Sequence, residues 1–403
     1  MTAIVEETSK TEPPASAAVI SGVVDLADGR GFLRTAGYRR SAADIPISAA
    51  QVRQYGLRPG DHIEGTAVGR QGKPQQAKKG QPGQGQPGQA QGRPDTAGRT
   101  LLTVEYVNGL PAAEARDRAE FDDLTPVYPN QRYRLEDGDP SRAARIIDLV
   151  SPVGKGQRGL IVAPPKAGKT TVLKTIAHAI ATAYPEVHLM LVLVGERPEE
   201  VTDLRRTVRG EVIASTFDQS PADHIKAAEL AIERAKRLAE LGRDVVVMLD
   251  SLTRLGRAYN LAAPASSRTL TGGVAVSALQ PPRQFLGAAR CLEEGGSLTI
   301  LSTALIDTGS QLDNVLFEEF KGTGNMELRL RRDLAERRLF PAIDSASSGT
   351  RREDLLMNPA EHADVVSLRR ALAALDSQHA LELLLDKTAV PNEQFLRQVS
   401  AAR

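Results

Sequence analysis

Short apolar clusters separated by glycine and aspartate run through the first part of the chain. Between residues 19 and 70 they are Val23-Val24, Gly31-Phe-Leu33, Asp44-Ile-Pro-Ile47 and His62-Ile63. Clusters of this length and spacing are typical of the strands of a small, twisted β-domain. Strand patterning returns over residues 101–107. We therefore predict a β-domain over residues 19–115.

The second half of the chain alternates apolar runs with segments of helical periodicity. The apolar runs are 160–163, 187–194, 211–217, 245–249 and 298–305. Largely apolar strands between helices indicate a parallel sheet that is covered on both faces. We predict an α/β domain over residues 151–403. Residues 326–330 alternate and are expected to form an antiparallel edge, and C-terminal helices are expected from residue 360.

Three segments lack these patterns. Residues 1–18 are mostly polar or proline-rich, and residues 71–100 are nearly all Gln, Gly, Pro, Ala and Lys. Such compositions bury too little apolar surface to fold, so we predict a disordered lead and a disordered insert within the β-domain. The alternative for the insert is a true interdomain linker. Residues 116–150 are charged and irregular and are interpreted as a connector.

Composition narrows the class of protein. A chain of 403 residues is too long for one compact core, so two or three domains are expected. A net charge of +1 means that any nucleic-acid surface must be local. The single cysteine, Cys291, excludes an internal disulfide framework and fits a reducing compartment. Without a signal segment or a long apolar run, we expect a cytoplasmic protein with no membrane partner.

A phosphate-binding loop follows the first apolar run of the α/β domain. Ala163-Pro-Pro-Lys-Ala-Gly168-Lys169-Thr170 matches a P-loop with Ala163 in place of the first glycine. Backbone N–H groups of such a turn wrap phosphate oxygens, Lys169 reaches the outer phosphates, and the Thr170 hydroxyl ligates Mg²⁺. Apolar residues at helical spacing follow, so the loop opens a helix. This context predicts ATP and Mg²⁺ as the small molecules bound.

Two strand ends carry candidate acidic residues. Asp250 follows five apolar residues, which is the Walker B arrangement for holding Mg²⁺ or its water. Glu196 ends the strand after the P-loop helix, where a carboxylate could polarise the attacking water. The turn holds three glutamates, Glu196, Glu199 and Glu200, and their chemistry alone does not select one.

Arginines and one aromatic residue provide further candidates. Phosphoryl transfer needs a cation at the γ-phosphate, and Arg351 follows a polar loop suited to reaching across a subunit interface. Phe340 precedes a proline and could stack on a base or be buried. The loop Thr271-Gly-Gly273 suits close approach to a nucleic-acid strand, although from the residues alone an ordinary flexible surface loop is the favoured interpretation.

Taken together, these motifs resemble the bacterial transcription termination factor Rho family. The resemblance rests on segments that include 151–170, 196–201, 211–217, 250–254, 270–274, 287–290 and 321–327. It is dense from residue 125 to 357 and looser over the β-domain. The Ala-Pro-Pro-Lys form of the P-loop is a habit of the family, which accounts for Ala163.

The resemblance implies a RecA-like P-loop NTPase core with a mainly parallel sheet and an N-terminal OB-type β-barrel. It implies three catalytic residues, which are Glu196, Lys169 and Arg351. Among the three glutamates it selects Glu196 as the base, and it makes Arg351 an arginine finger that acts on the neighbouring subunit. The implied metal ligands are Thr170 and Asp250. The implied nucleotide-binding residues are Gly154, Lys155, Gly156, Gln157, Arg158, Gly159, Lys166, Ala167, Gly168, Lys169, Thr170, Thr171, Arg197, Arg338 and Phe340.

RNA contacts are implied in both domains. In the β-domain they are Gly29, Arg30, Gly31, Phe32, Leu33, Arg34, Asp44, Ile45 and Pro46, and in the α/β domain they are Arg268, Thr269, Leu270, Thr271, Gly272, Gly273, Gln311 and Lys321. Several residues depart from the family pattern: Arg30, Pro46 and Gly98 replace aromatics, Gln311 and Arg268 replace lysines, and Gly195 replaces an acidic residue. From the resemblance we expect a short polar lead in the place of the family's N-terminal helical subdomain.

We therefore expect an ATP-dependent, RNA-stimulated translocase that terminates transcription. Its expected partners are single-stranded RNA, five further copies in a homohexamer, the RNA polymerase elongation complex and a NusG-type elongation factor. Two alternatives remain: an RNA-binding paralogue that uses ATP mainly for assembly or regulation, and another RecA-type hexameric ATPase.

Overall fold

The computed structural model describes residues 17–27, 30–69, 99–270 and 272–401. The expected disordered lead and insert lie almost entirely outside these residues, as do Gly29, Gly98 and Thr271. The chain divides into two compact units, Met1–Arg118 and Ala119–Arg403. Within the described residues, no helix has both the length and the hydropathy needed to cross a membrane.

The first unit is a curved antiparallel sheet with one short helix. Its described elements are β1 Ala17–Ala27, β2 Arg30–Arg34, β3 Ile45–Ile47, α1 Ala49–Tyr55, β4 His62–Gly69, β5 Arg99–Val107 and β6 Leu110–Pro111. Strands pair in the order β3-β2-β1-β4-β5-β6, and β3 also lies beside β5, so the sheet closes into a barrel. Alternate residues such as Leu33, Ile45 and Ile63 fill its core. The predicted β-domain is confirmed.

The second unit is built around a mainly parallel sheet. Its described strands are β7 Pro126–Val127, β8 Arg132–Tyr133, β9 Val153–Gly154, β10 Arg158–Ala163, β11 His188–Glu196, β12 Glu211–Thr216, β13 Asp244–Asp250, β14 Thr269–Leu270, β15 Val274–Ala275, β16 Arg290–Leu292, β17 Ser297–Leu305, β18 Met326–Arg329 and β19 Gly349–Thr350. The central order is β12-β11-β13-β17-β10-β18-β19, in which only β19 runs antiparallel to its neighbour.

Helices cover this sheet. They are α2 Arg142–Val150, α3 Lys169–Ala183, α4 Pro198–Thr207, α5 Pro221–Ala239, α6 Leu252–Ala262, α7 Val276–Gly287, α8 Gln311–Lys321, α9 Arg332–Glu336, α10 Pro359–Ala373, α11 Ser377–Lys387 and α12 Asn392–Ala401. Ser220 and Ser251 cap α5 and α6 with their side chains, which fixes where these helices begin beside the strand ends. The predicted α/β fold with a mainly parallel sheet and C-terminal helices is confirmed.

Two local expectations were wrong. Residues 326–330 do not form an edge, because β18 lies between β10, to which it is parallel, and β19. Residues 119–150 are not a separate connector, because they belong to the second unit. Tyr133 and Leu135 are fully buried, and α2 packs an apolar face into the core of this unit. The charged residues between these apolar positions masked that face in the sequence.

Candidate functional site

The P-loop connects the central strand β10 to α3. Ala163 is buried at the end of β10 and faces Leu305 of β17. Lys166 and Gly168 have positive φ angles of 69° and 90°, which turn the chain sharply into the helix. Gly168 occupies the N-cap of α3, and no side chain caps this end. The first-turn N–H groups and the positive end of the helix dipole are therefore available to an anion.

The candidate carboxylates meet beside this loop. Glu196 ends β11 and Asp250 ends β13, and their exposed fractions are 4% and 1%. Lys169 Nζ lies 3.2 Å from Glu196 Oε1 and also contacts Asp250 Oδ1. Thr303 of β17 donates a hydrogen bond of 2.7 Å to the same Asp250 oxygen. In this structure the P-loop lysine therefore pairs with both carboxylates.

Glu196 is distinguished from its two neighbours by this environment. Glu199 is exposed and Glu200 half-buried in the first turn of α4, whereas Glu196 is buried against Lys169. Burial, followed by the nearby charge of Asp250, raises the pKa of Glu196 above its ordinary value. Arg254 opposes this shift: its Nη1 lies 2.5 Å from Glu196 Oε1 and donates a 2.8 Å hydrogen bond to the Gly195 carbonyl.

A cavity of about 560 Å³ opens beside the P-loop. Ala167, Gly168 and Thr171 line one side of it, and Arg338 and Phe340 line another. The Phe340 ring, 48% exposed, lies 3.6 Å from where a side chain at Gly168 would begin. Arg338 and Phe340 also border a second cavity of about 540 Å³ that reaches Lys166. The exposed ring and the loop together form a space that suits a planar base next to a phosphate chain.

Sequence reasoning missed part of this cavity. Arg142, Thr175 and Leu385 complete its wall, and they come from α2, α3 and α11. Arg142 fell in the segment interpreted as a connector. Arg197 is exposed at the N-cap of α4 directly after Glu196, and its role in binding nucleotide stays a prediction.

Residues 154–159 lie at the opposite edge of the sheet. They lead into β10 and include its first two residues, whereas the P-loop follows its last residue, so about 13–20 Å of chain separates the two. Lys155 pairs with Asp244 at 2.6 Å, and the Gly156 N–H donates to Thr299 Oγ1 at 2.8 Å. Within one chain, Gly154, Lys155, Gly156, Gln157, Arg158 and Gly159 therefore do not line the P-loop, and their role in binding nucleotide stays a prediction. These residues are close to the P-loop in sequence, but the length of β10 separates them from it in space.

Arg351 shares this far edge. Asn325 links it to Arg158, because the Arg351 N–H donates to the Asn325 carbonyl at 2.8 Å and the Arg158 N–H donates to the Asn325 side chain at 2.9 Å. Burial lowers the pKa of Arg158, and the nearby cations Arg290 and Arg351 lower it further. Several guanidinium groups thus face one edge, an arrangement that suits an anion delivered from outside the chain.

The glycine-rich loop forms the tip of a small hairpin. β14 and β15 pair antiparallel, and Arg268, Thr269, Leu270, Gly272 and Gly273 are exposed. A Cβ on Gly272 would lie 3.2 Å from the backbone of Gln311, so the structure brings Gly272 beside the first residue of α8. Lys321 is exposed at the other end of α8, about 15 Å along the helix from Gln311.

Only some of the predicted residues of the β-domain are accessible. Arg30 and Pro46 are exposed, Phe32 is half-buried, and Phe32 faces Pro46 across the β2–β3 pair. Leu33 and Ile45 are fully buried core residues, so their prediction as RNA contacts was wrong. Gly31 serves packing, since a Cβ there would lie 3.0 Å from Ile47.

Arg34 is an internal residue. It is 4% exposed, and its guanidinium pairs with both Asp25 and Asp44. The group also lies 5.4 Å from the centre of the Phe32 ring. With two carboxylates on one guanidinium, neither Arg34 nor Asp44 is available to bind RNA phosphates, which corrects the prediction for both. Arg34 lies nine residues from Asp25 and ten residues from Asp44 in the chain. Nothing in this spacing indicated that the three side chains would meet inside the barrel.

We predict that Arg34→Met will destabilise the first unit by about 3–5 kcal/mol, because it leaves two carboxylates buried without their cation. Hydrogen–deuterium exchange of peptides from β1 to β5 measures this as faster exchange. Arg30→Met, at an exposed position of the same strand, is the control and should change stability by less than about 0.5 kcal/mol. Unchanged protection in Arg34→Met would contradict the internal ion cluster.

Comparisons with known proteins agree with this architecture. A family profile described as the ATP synthase alpha/beta family, nucleotide-binding domain, matches residues 143–350, and one described as the Rho termination factor, RNA-binding domain, matches residues 20–112. A "Transcription termination factor Rho" of Streptosporangium roseum is 54% identical over 94% of this chain and 92% of its own length. The chain belongs to the Rho family. The OB-type character of its first unit follows from this membership.

Other relatives of the Rho family differ in length. The factor of Micrococcus luteus is 56% identical over 98% of this chain but only 56% of its own length, and that of Streptomyces lividans is 55% identical over 51% of its length. The chain thus spans about half the length of these two relatives. Among solved structures, an ATPase from a type III secretion system superposes with a TM-score of 0.55 at 24% identity, covering 69% of this chain and 82% of the other. This likeness concerns the fold alone.

Proposed function

We propose that this Rho-family chain is an RNA-dependent ATPase and helicase that terminates transcription. ATP hydrolysis would drive 5′→3′ translocation along nascent RNA and release the RNA from RNA polymerase. The observation that carries the proposal is the meeting of Lys169, Glu196 and Asp250 beside an uncapped P-loop helix. A catalytic carboxylate beside the P-loop distinguishes a hydrolase from a unit that only binds nucleotide.

The site suits ATP and Mg²⁺. The cavity at Phe340 has room for a purine, and the free end of α3 suits the phosphates. Thr170 and Asp250 would supply a hydroxyl and a carboxylate to Mg²⁺, a cation that takes few protein ligands beside phosphate oxygens. Thr303 already orients Asp250 for this role. When bound, the ion would neutralise charge on the β- and γ-phosphates.

Hydrolysis in this site would follow from the positions of three groups. Lys169 would leave the carboxylates for the outer phosphates of ATP. Glu196, still contacted by Arg254, would then accept a hydrogen bond from the attacking water and polarise it. Arg338 and Lys166 border the cavity on the phosphate side and would add positive charge there.

One further cation at the γ-phosphate, the arginine finger, would come from a neighbouring copy of the chain. Arg351 lies at the edge of the sheet opposite the P-loop, so it cannot serve its own nucleotide. In a homohexameric ring it would face the P-loop of the next subunit, with Arg158 and Arg290 beside it. Residues 154–159 would line a nucleotide site only in this way, across the interface.

RNA would be held at two places. In the ring, the hairpin that carries residues 269–273 would contact the strand together with Gln311, against which it packs. In the barrel, Phe32 offers a ring for base stacking and Arg30 an exposed cation. Further partners in this proposal are the RNA polymerase elongation complex and a NusG-type elongation factor, in the cytoplasm.

We predict that ATP hydrolysis will rise at least tenfold when single-stranded RNA such as poly(C) is added, because the RNA-binding loops and the ATP site belong to one ring. Steady-state phosphate release with and without RNA measures this, with Lys169→Ala as the inactive control. A rate that RNA does not change would favour another RecA-type ATPase. ATP binding without hydrolysis in either condition would favour the paralogue that uses ATP for assembly.

A further inference from the structure

A pair formed by a half-buried histidine and a buried serine lies one strand away from Glu196. Ser215 is fully buried near the end of β12, which pairs with β11, the strand that ends in Glu196. His224 is in the first turn of α5, which Ser220 caps. Its Nδ1 lies 2.6 Å from Ser215 Oγ. The proposed mechanism gives these two side chains no role.

The hydrogen bonds of Ser215 determine which ring nitrogen of His224 carries the proton. Ser215 donates its hydroxyl hydrogen to Gln219 Oε1 at 2.8 Å. The same oxygen can therefore only accept from the histidine, so Nδ1 is protonated. In the neutral ring this leaves Nε2 with a free lone pair, and the ring is held in one orientation by its partner.

Nε2 faces the residues that hold the catalytic carboxylate. It lies 3.9 Å from the point where a Cβ on Gly195 would sit, and Cδ of Arg254 lies 3.2 Å from that same point. Arg254 in turn donates to the Gly195 carbonyl and contacts Glu196. Because Gly195 has no side chain, His224 and Arg254 both border the space that a side chain there would fill.

Burial favours the neutral form of His224, with nearby charges acting in both directions. Burial lowers the pKa of His224, and Arg254 lowers it further, while Asp223 on the same helix and Asp218 in the preceding loop act in the other direction. A neutral imidazole presents an acceptor to the guanidinium. A protonated imidazole would place a second positive charge beside it.

We propose that His224, oriented by Ser215, is a positioning residue: it holds Arg254 and, through Arg254, the Glu196 carboxylate in place for water activation. This inference rests on the proposed ATPase function. His224 touches neither substrate nor the reacting atoms. Its loss should therefore affect kcat for ATP hydrolysis, and KM for ATP should stay within about twofold.

Three variants test this in the full-length chain with RNA present. His224→Leu removes the polar ring beside Arg254 and should lower kcat about 5- to 10-fold. His224→Gln can place an amide oxygen near the position of Nε2, so it should restore most of kcat. Ser215→Ala removes the hydrogen bond that orients the His224 ring, and it should lower kcat less than His224→Leu does. His379→Leu, at an exposed position of α11, is the matched control and should not change kcat.

The pH profile separates positioning from a merely structural role. Protonation of His224 repels Arg254, so it contributes to the loss of kcat in the wild type as the pH falls through the lowered pKa of His224. His224→Gln cannot be protonated, and its activity should therefore persist to lower pH than that of the wild type.

The outcomes distinguish this inference from the proposed function. Wild-type kcat in His224→Leu, or an acid limb of His224→Gln that coincides with the wild type, would overturn the positioning role alone. A His224→Gln chain as impaired as His224→Leu would do the same, since it would indicate a need for the ring as packing. A wild-type chain without RNA-stimulated hydrolysis would overturn both proposals.

Discussion

Replacing Glu196 with glutamine is expected to lower kcat for ATP hydrolysis by about 10²-fold or more. The amide keeps the shape of the side chain but cannot accept the proton of the attacking water. Because Lys169 and the cavity at Phe340 are unchanged, ATP should bind with similar affinity. Single-turnover hydrolysis and equilibrium binding of a fluorescent ATP analogue measure the two effects separately.

Glu199→Gln is the matched control for this variant. Glu199 lies three residues further on, exposed in the first turn of α4, and its loss should leave kcat within about twofold of the wild type. Wild-type turnover in a verified Glu196→Gln preparation would remove Glu196 from the mechanism. Equal losses of kcat in both variants would indicate that hydrolysis depends on the total charge of the turn and not on one general base.

Replacing Arg351 with alanine is expected to lower kcat by about 10³-fold, since an arginine that stabilises the transferring phosphoryl group typically contributes at least that much. The defect should act on the neighbouring subunit. When Arg351→Ala chains are mixed with Lys169→Ala chains, some interfaces combine an intact P-loop with an intact finger, and part of the activity should return. Phosphate release across a series of mixing ratios measures this recovery.

Arg352→Asn is the control for the neighbouring cation. Arg352 pairs with Asp354 and has a φ angle of 58°, a conformation that asparagine tolerates. This variant should keep most of its activity. If two inactive chains stay inactive in mixtures that demonstrably co-assemble, Arg351 does not act across the interface.

The parts of the site that the sequence predicted correctly depend on one rule of parallel sheets. Side chains at the carboxyl ends of neighbouring strands come together, and Asp250, Glu196 and the P-loop all follow apolar runs that read as strands. Local pattern thus located these groups without knowledge of the strand order. The resemblance to the Rho family chose Glu196 among three glutamates, and burial against Lys169 later supported the same choice.

The remaining features depend on distances along and between strands, which local pattern does not encode. Residues 154–159 lead into β10, the strand that precedes the P-loop. They nevertheless lie at the end of β10 that is far from the P-loop. Arg34 is a cationic residue of the kind that contacts RNA, yet the barrel places it between Asp25 and Asp44. Asn325, which ties Arg351 to Arg158, gave no signal because its partners are far away in the chain.

The contact of Lys169 with Glu196 and Asp250 also bears on how a reaction cycle would end. In the subunit described here the lysine already has two acidic partners, so ATP and its products must compete with the protein for the same cation. Once the γ-phosphate is cleaved, the remaining nucleotide offers the lysine less charge, whereas the two carboxylates are unchanged. The return of Lys169 to them would then favour departure of ADP and phosphate. The two acidic partners of Lys169 would thus favour release of the products over release of the triphosphate.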